Sequence, residues 1–372
     1  GDAHLDGVVF EIVNRSEHDV VVGGTRFSPG EAVTTLVTDA DGCASTEHDL
    51  LPLGTYEVRE AEPGEGYLNT SEAQMVVIDA PDTVFAAETH FTDTVMRGGL
   101  RVGKVSSETA DPVAQGGASL AGARFSVTSV SAAPVLVDGV LYRPGSIVAV
   151  LTTDKQGRAE LAAEALPYGS YEIREIEAPQ GYLLNEEWSQ TITICEEGAV
   201  ADISAPEHAV PDQVKRGGFS FNKADEASME AMPGTVFLVT ALDDPDGDGI
   251  FESHIIVTDE NGVFDSEYAR HSALTNANDA AYDPATGALD ESLLDHEAGL
   301  WFSGRSDTST APDDARGALP YGSYTMQELA CSANEGHRLV CFTLHIARDG
   351  HTVDRGTVDD KLGPQLVTEL GS

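Results

Sequence analysis

The sequence predicts an all-β protein built from tandem sandwich modules, and three observations carry that prediction. The first is internal repetition. Leu51-Pro-Leu-Gly-Thr-Tyr-Glu-Val-Arg-Glu60 returns as Leu166-Pro-Tyr-Gly-Ser-Tyr-Glu-Ile-Arg-Glu175 and as Leu319-Pro-Tyr-Gly-Ser-Tyr-Thr-Met-Gln-Glu328. Each copy is preceded by a turn, Thr38-Asp-Ala-Asp-Gly42, Thr153-Asp-Lys-Gln-Gly157 or Thr258-Asp-Glu-Asn-Gly262. Earlier still stand Asp6-Gly-Val-Val-Phe10, Ala121-Gly-Ala-Arg-Phe125 and Pro233-Gly-Thr-Val-Phe237. Three landmarks in one order, three times, mark three homologous units. The second observation is short runs of alternating apolar and polar residues that end in Gly, Pro, Asn or Asp, the pattern of half-buried strands and turns. The third is the lack of any long amphipathic helical pattern.

The 372 residues suit roughly three domains of about 100–150 residues. Arg97-Gly-Gly99 and Arg216-Gly-Gly218 mark the joints. The expected modules are therefore 1–97, 98–215 and 216–361, with 362–372 as a linker or tail. Apolar residues make up 41% of the chain, enough for packed cores, while the net charge is −42. That charge argues against nucleic acid and anionic membrane surfaces as partners, since both call for a basic face. It suits a soluble, self-repelling extracellular polymer. No apolar run reaches the length of a membrane span, and the N-terminus does not read as a signal peptide. Any leader or wall anchor is expected outside these residues, and no Leu-Pro-x-Thr-Gly sorting motif occurs.

Taken in order, the modules carry ionisable residues on their apolar faces. Residues two apart in a strand share a face. In the first module Glu60 follows Tyr56 and Val58, and Asp93 follows Phe91, but no lysine precedes them. By the repeat offset, the counterpart of the second module's lysine falls before Gly1, so the first module is expected to lack its first strand. In the second module Lys104 shares a face with Leu100 and Val102, Glu175 with Tyr171 and Ile173, and Asp212 with Val210. In the third, Lys223 follows Phe219 and Phe221, Glu328 follows Tyr324 and Met326, and Asp360 follows Val358. Asp359 is the alternative to Asp360 there. Taken singly, a lysine at a strand end snorkels to water and a glutamate there is exposed. The recurrence of all three types in one order favours burial, which costs several kcal/mol per ion unless the charges are removed.

This pattern resembles the Cna protein B-type, or SpaA-like, domains of Gram-positive pilins and adhesins. Lys104, Leu120-Ala-Gly-Ala-Arg-Phe125, Tyr171-Glu-Ile-Arg-Glu175, Ala178-Pro-Gln-Gly-Tyr182 and Asp212 carry the resemblance, which covers nearly the whole chain. It implies transthyretin-like sandwiches in which a first-strand lysine bonds to a last-strand Asn or Asp, assisted by a glutamate. Here the implied isopeptide bonds are Lys104–Asp212 and Lys223–Asp360, promoted by Glu175 and Glu328. Glu60 and Asp93 are the remnants of the same set in the first module. Dry surroundings would favour a neutral amine and a protonated carboxyl, the forms that condense. The implied role is a non-enzymatic stalk segment at the cell surface, touching neighbouring modules and other pilin subunits. The rival reading is an adhesin segment that binds a host extracellular protein.

That rival rests on the third module, where an insertion near 268–317 is rich in Asn, Asp and Ala. Trp301 and Phe302 within it either form an exposed recognition patch or pin the insertion to its own sandwich. Asp244, Asp246, Asp248 and Glu252 occupy positions 1, 3, 5 and 9 of a Gly-containing loop. They read either as a calcium site or as a solvated acidic turn, since position 12 is Ile255. No cofactor is otherwise required. In the third module Ala-Pro-Gln-Gly-Tyr gives way to Cys331-Ser-Ala-Asn-Glu-Gly-His337. Cys331 and Cys341 flank that turn and could close a hairpin disulfide, whereas Cys43 and Cys195 read as lone small hydrophobes. His254, His271 and His296 lack ligand spacing, and Ser306 and Ser309 lack a triad context.

Overall fold

A computed structural model describes residues 1–84, 90–267 and 270–360. The expected tail over 362–372 lies outside them, as do the first two residues of the insertion. Among the described residues helix is limited to three short 3-10 turns, Ala277–Ala281, Glu291–Leu293 and Ser332–Asn334. No helix is long and apolar enough to cross a membrane. The chain is all-β, with β-sheet modules in tandem.

Each module contains a four-stranded antiparallel sheet with the same strand order. In the first it runs Ala32–Val37, Val9–Asn14, Gly54–Glu62, Gln74–Ile78. In the second it runs Ile147–Thr152, Arg124–Ser129, Gly169–Glu177, Ser189–Ile194. In the third it runs Ser253–Val257, Val236–Ala241, Gly322–Glu328, Cys341–Ile346. The register repeats as well: Phe10 faces Glu60, Phe125 faces Glu175 and Phe237 faces Glu328. A one-residue slip would turn every side chain to the other face, so this shared register holds each glutamate on the same side of its sheet.

The repeated motifs explain themselves as backbone fasteners. The tyrosine of each Leu-Pro-x-Gly-x-Tyr run is buried and donates its hydroxyl to the proline carbonyl four residues back. These bonds are Tyr56 to Pro52 at 2.9 Å, Tyr171 to Pro167 at 2.7 Å and Tyr324 to Pro320 at 2.7 Å. In the Thr-Asp-x-x-Gly turns the threonine hydroxyl oxygen accepts from the neighbouring strand's start, at Val8, Ala123 and Thr235. The aspartate accepts the backbone N–H four residues on, from Cys43, Arg158 and Val263. Glycine closes each turn at positive φ, 72°, 69° and 73° for Gly42, Gly157 and Gly262, where a Cβ is disfavoured.

The second and third modules add a facing sheet built around the lysine strand. Arg97–Ser106 pairs antiparallel with Arg158–Pro167 and parallel with Val200–Ile203 and Val210–Asp212. Arg216–Lys223 pairs antiparallel with Val263–Asp265 and Leu319–Pro320 and parallel with Thr352–Val358. The diglycines of both joints let backbones approach. A Cβ on Gly99 would lie 2.6 Å from the Leu161 carbonyl oxygen, and one on Gly217 2.6 Å from that of His351. Between the sheets sit apolar cores centred on Leu100, Val102, Phe125, Val127 and Ile173, and on Phe219, Phe221, Phe237, Met326 and Phe342. Among the described residues the first module has no counterpart of the lysine strand. Its smaller core, around Ile12, Val20, Val22, Val33 and Tyr56, is completed by half-buried side chains such as Leu36 and Val58.

The insertion lies against the molecule instead of presenting its aromatics. Trp301 and Phe302 are buried, and Phe302 belongs to the third module's core. Trp301 exchanges backbone bonds with the Asn276 side chain at 2.9 and 2.8 Å and donates its indole N–H to Thr310 Oγ1 at 2.9 Å. The exposed-patch reading is thereby corrected: an indole with its polar edge satisfied indoors gains more from burial than from facing water.

Candidate functional site

The parallel pairing brings the first and last strands of a module side by side. Val210 is paired with Lys104, and Val358 with Lys223. Asp212 and Asp360 each stand two residues beyond that partner, on the lysine's own face. Lys104 Nζ lies 2.6 Å from Asp212 Oδ1 and 2.9 Å from Glu175 Oε1, with all three side chains fully enclosed. Phe125, whose ring centroid is 5.8 Å from Nζ, forms part of the apolar wall. These separations are short, yet Lys104 Nζ, Glu175 Oε1 and both Asp212 oxygens lack a well-angled hydrogen bond. Burial pushes the Glu175 carboxyl up to about 8, against the pull of Lys104 and with added repulsion from Asp212. Burial likewise raises Asp212, against the attraction of Lys104. Burial thus favours the protonated form of Glu175, which an isolated glutamate has lost by neutral pH.

The third module assembles the same trio with different fittings. Lys223 Nζ donates to Asp360 Oδ1 in a very close contact, and Glu328 Oε2 is 3.6 Å from Nζ. Asp360 is buried, while Asp359, its neighbour in the chain, is half-buried. Glu328 accepts the Asn334 amide on Oε1 at 3.0 Å and the Val340 N–H on Oε2 at 2.9 Å. Its carboxyl is nevertheless raised, chiefly by burial. His337 donates from Nδ1 to the second oxygen of Asp360 at 2.8 Å. This histidine comes from the stretch where the third module departs from the repeat, and alternation could not have singled it out because it sits on a turn.

In the first module the remnants also meet. Ser71 Oγ lies 2.6 Å from Glu60 Oε2 and 2.8 Å from Asp93 Oδ1. Burial raises the Glu60 carboxyl, and Glu60 Oε1 is buried without a partner. All five lysines of this sequence lie beyond residue 103, and among the described residues none is paired with Glu60 or Asp93.

Three further expectations are corrected. Cys331 and Cys341 are free thiols. Cys341 sits in the strand opposite Gln327, whereas Cys331 turns toward the Gly234 carbonyl, so the hairpin does not bring the sulfurs together. Cys43 and Cys195 are free and exposed, not packed as small hydrophobes. Asp244, Asp246 and Asp248 do place oxygens within 4.8 Å of one another, but Glu252 is not with them. Its carboxylate accepts the backbone N–H groups of Ser303 at 2.6 Å and Gly304 at 2.7 Å, fastening the insertion. His254 lies between Glu252 and Asp279. Burial alone would favour its neutral ring, but these carboxylates push it up to about 9.

An unexpected cluster joins the second and third modules. Arg216, fully buried, donates to both Glu108 oxygens at 2.8 and 2.7 Å and stacks on Trp301 at 3.8 Å. Arg305 from the insertion reaches both oxygens of Asp111 at 3.1 Å. Gln115 donates to Ser303 O at 2.7 Å and to Glu108 at 3.0 Å. The repeated Arg-Gly-Gly was the only trace of this joint in the sequence.

A family model described as the prealbumin-like fold domain SpaA matches residues 1–90 and 102–207. No curated protein matches the chain. Among solved structures it is similar to the Bacillus anthracis TIE protein, with 19% identity and a TM-score of 0.51 over 95% of this chain and 47% of that one. It also matches BcpA, the major pilin subunit of Bacillus cereus, with 14% identity and a TM-score of 0.28 over 95% and 94% of the two chains. The shaft pilin SpaA from Lactobacillus rhamnosus GG matches with 14% identity and a TM-score of 0.23 over 70% and 98%. At these identities the likeness is one of fold, and the chain spans about half the length of the TIE protein.

Proposed function

This chain belongs to the family of prealbumin-like SpaA domains, and from that premise we propose that it is a stalk segment of a Gram-positive surface or pilin-like protein, closed by the internal amides Lys104–Asp212 and Lys223–Asp360. One observation carries the reading: a lysine, a glutamate and an aspartate enclosed together, twice, in the same strand register. Two buried carboxyls beside one ammonium form a costly arrangement if it is only structural. As a reacting set it is well suited.

In the second module a proton passing from Lys104 Nζ to Asp212 converts the ion pair into a neutral amine and a neutral acid, the forms that dry surroundings favour. Protonated Glu175 donates to the Asp212 carboxyl and draws electrons from its carbon. The amine attacks Cγ, the C–N bond forms, a C–O bond breaks, and the oxygen leaves with two protons as water. Enclosure supplies the proximity that such a condensation needs. The group reacts once, so this is maturation and not turnover.

The amide would join the first and last strands of each module, so that tension along the chain passes through a covalent link before it reaches the sheets. The interlocked joint between the second and third modules supports the same reading, because a stalk transmits orientation as well as force. The cell surface is the proposed location, with neighbouring modules and other pilin subunits as partners. An adhesin role is the second reading. What favours it is a cleft of about 550 Å³ along the insertion, lined by His254, Asn276, Trp301 and Arg305.

Intact mass under denaturing conditions tests the proposal. The wild-type chain is expected to be two waters light, and Lys104→Ala and Lys223→Ala should each restore one. A full-weight wild-type chain, or a deficit that neither substitution alters, refutes it.

A further inference from the structure

The third module divides the acceptor carboxyl between two side chains in a way the second does not. Lys223 Nζ holds Asp360 Oδ1, and His337 Nδ1 holds Oδ2 at 2.8 Å. In the second module Lys104 Nζ stands 2.6 Å from Asp212 Oδ1, but among the described residues no side chain takes the place of His337 on Oδ2, and apart from Lys104 Glu175 receives only a long contact from Asn185 N at 3.5 Å. Glu328, by contrast, has an N–H donor on each oxygen. Burial raises the Glu328 carboxyl against the pull of these donors, but with an N–H already on each oxygen it is poorly placed to donate a hydrogen bond to Asp360. The proton donor of the second module is thus missing from the third, and a histidine stands on the leaving oxygen.

We infer that His337 is the general acid of the third module's bond-forming step, with Glu328 as the proton acceptor; this rests on the amide proposed above. Neutral Lys223 Nζ attacks Cγ of protonated Asp360 and the C–N bond forms. As Cγ–Oδ2 breaks, Oδ2 keeps the carboxyl proton, takes a second from the His337 imidazolium and leaves as water. The proton shed by Nζ goes to Glu328 Oε2, 3.6 Å away. The products are one amide, one water, neutral His337 and protonated Glu328, and exchange with solvent resets the last two. Asp225 completes the arrangement. Its Oδ1 is bound by Ser228, and its Oδ2 lies 3.3 Å from the same His337 Nδ1, a second carboxylate beside the ring. One third of the His337 side chain is exposed, which lets it recover its proton.

The test follows bond formation in time. The full chain is synthesised cell-free, samples are quenched in denaturant, and the Lys223–Asp360-linked peptide is quantified after digestion. The Lys104–Asp212-linked peptide serves as an internal clock. Losing a positioned general acid costs typically about a hundredfold or more in rate. His337→Gln, which keeps a donor but gives no proton, and His337→Ala should both slow the third module by about that factor and leave the clock unchanged. Added imidazole should speed the Ala variant through the opened space and not the Gln variant. A Gln variant that closes at the wild-type rate overturns the inference, as does an Ala variant that imidazole cannot speed. If the underlying amide is wrong, the failure looks different: the wild type itself yields no linked peptide.

Discussion

Lys104→Met is expected to lower the melting temperature of the second module by roughly 20 °C or more. The substitution keeps an unbranched side chain of similar length in the slot beside Leu100, Val102 and Phe125, so packing changes little. It removes the nucleophile. The closed loop runs from the first strand of the module to its last, and an intact cross-link over about 100 residues contributes about 4–5 kcal/mol in the chain-entropy model. The variant also changes how stability depends on pH. In the cross-linked chain Asp212 no longer titrates. Without the link, Asp212 and Glu175 remain buried, both with folded pKa values raised above their ordinary ones. A group raised in this way stabilises the fold fully below its unfolded value, about 4.5 for Glu175, and that contribution is lost as pH climbs toward the folded value, which stands at about 8 with Lys104 pulling it down and is higher without that lysine. Calorimetric melting of Lys104→Met should therefore fall across this interval, while the wild-type transition moves far less. Equal melting of the two proteins at every pH would mean that no covalent link contributes.

Much of this site is legible in the sequence because strands have a period of two. Lys104 beside Leu100 and Val102, and Glu175 beside Tyr171 and Ile173, declare their faces without reference to any distant residue. Repetition then supplies the long-range pairing. Phe10, Phe125 and Phe237 recur at fixed places relative to Glu60, Glu175 and Glu328, and the structure pairs each phenylalanine with its glutamate. What lies outside the repeat was harder to read. Glu252 matched an ion-binding spacing, but the backbone N–H groups of Ser303 and Gly304, some fifty residues on, offered it firmer partners. The interval between Cys331 and Cys341 suits a hairpin, but spacing carries no information on which way the Cβ atoms point. Trp301 is apolar in an acidic stretch, a signal that fits an exposed anchor and a buried one equally until the opposing surface is known.

That opposing surface leads to the second large effect. Arg216→Ala should destabilise the joint between the second and third modules by about 3–5 kcal/mol, the usual cost of stripping one partner from a buried ion pair. Burial alone would raise the Glu108 carboxyl, but the charge and hydrogen bonds of Arg216, with the amides of Gln115 and Gln213, hold it below its ordinary value. With the guanidinium gone, Glu108 is left without its cation, the Phe302 carbonyl loses its Arg216 donor and the Ala318 carbonyl keeps only the Phe302 N–H, and Trp301 loses its stacked cation. Arg216→Lys should not rescue the joint, because a point charge cannot span both carboxylate oxygens and lie flat on an indole. Arg97, at the same place in the other Arg-Gly-Gly joint, reaches only the carbonyls of Glu164, Ala165 and Leu136. Arg97→Ala should therefore cost no more than about 1–2 kcal/mol, the scale of a few exposed hydrogen bonds. The measurement is small-angle scattering of the full chain together with limited proteolysis. Arg216→Ala should broaden the distribution of interatomic distances and open cleavage near 213–217, and acid should do the same to the wild type. A depressed carboxyl pKa stabilises above its unfolded value and ceases to do so as pH falls through the folded one. If Arg216→Ala scatters like the wild type and resists protease equally, the joint is held by apolar packing of the insertion, and the buried ion pair is incidental to the stiffness of the stalk.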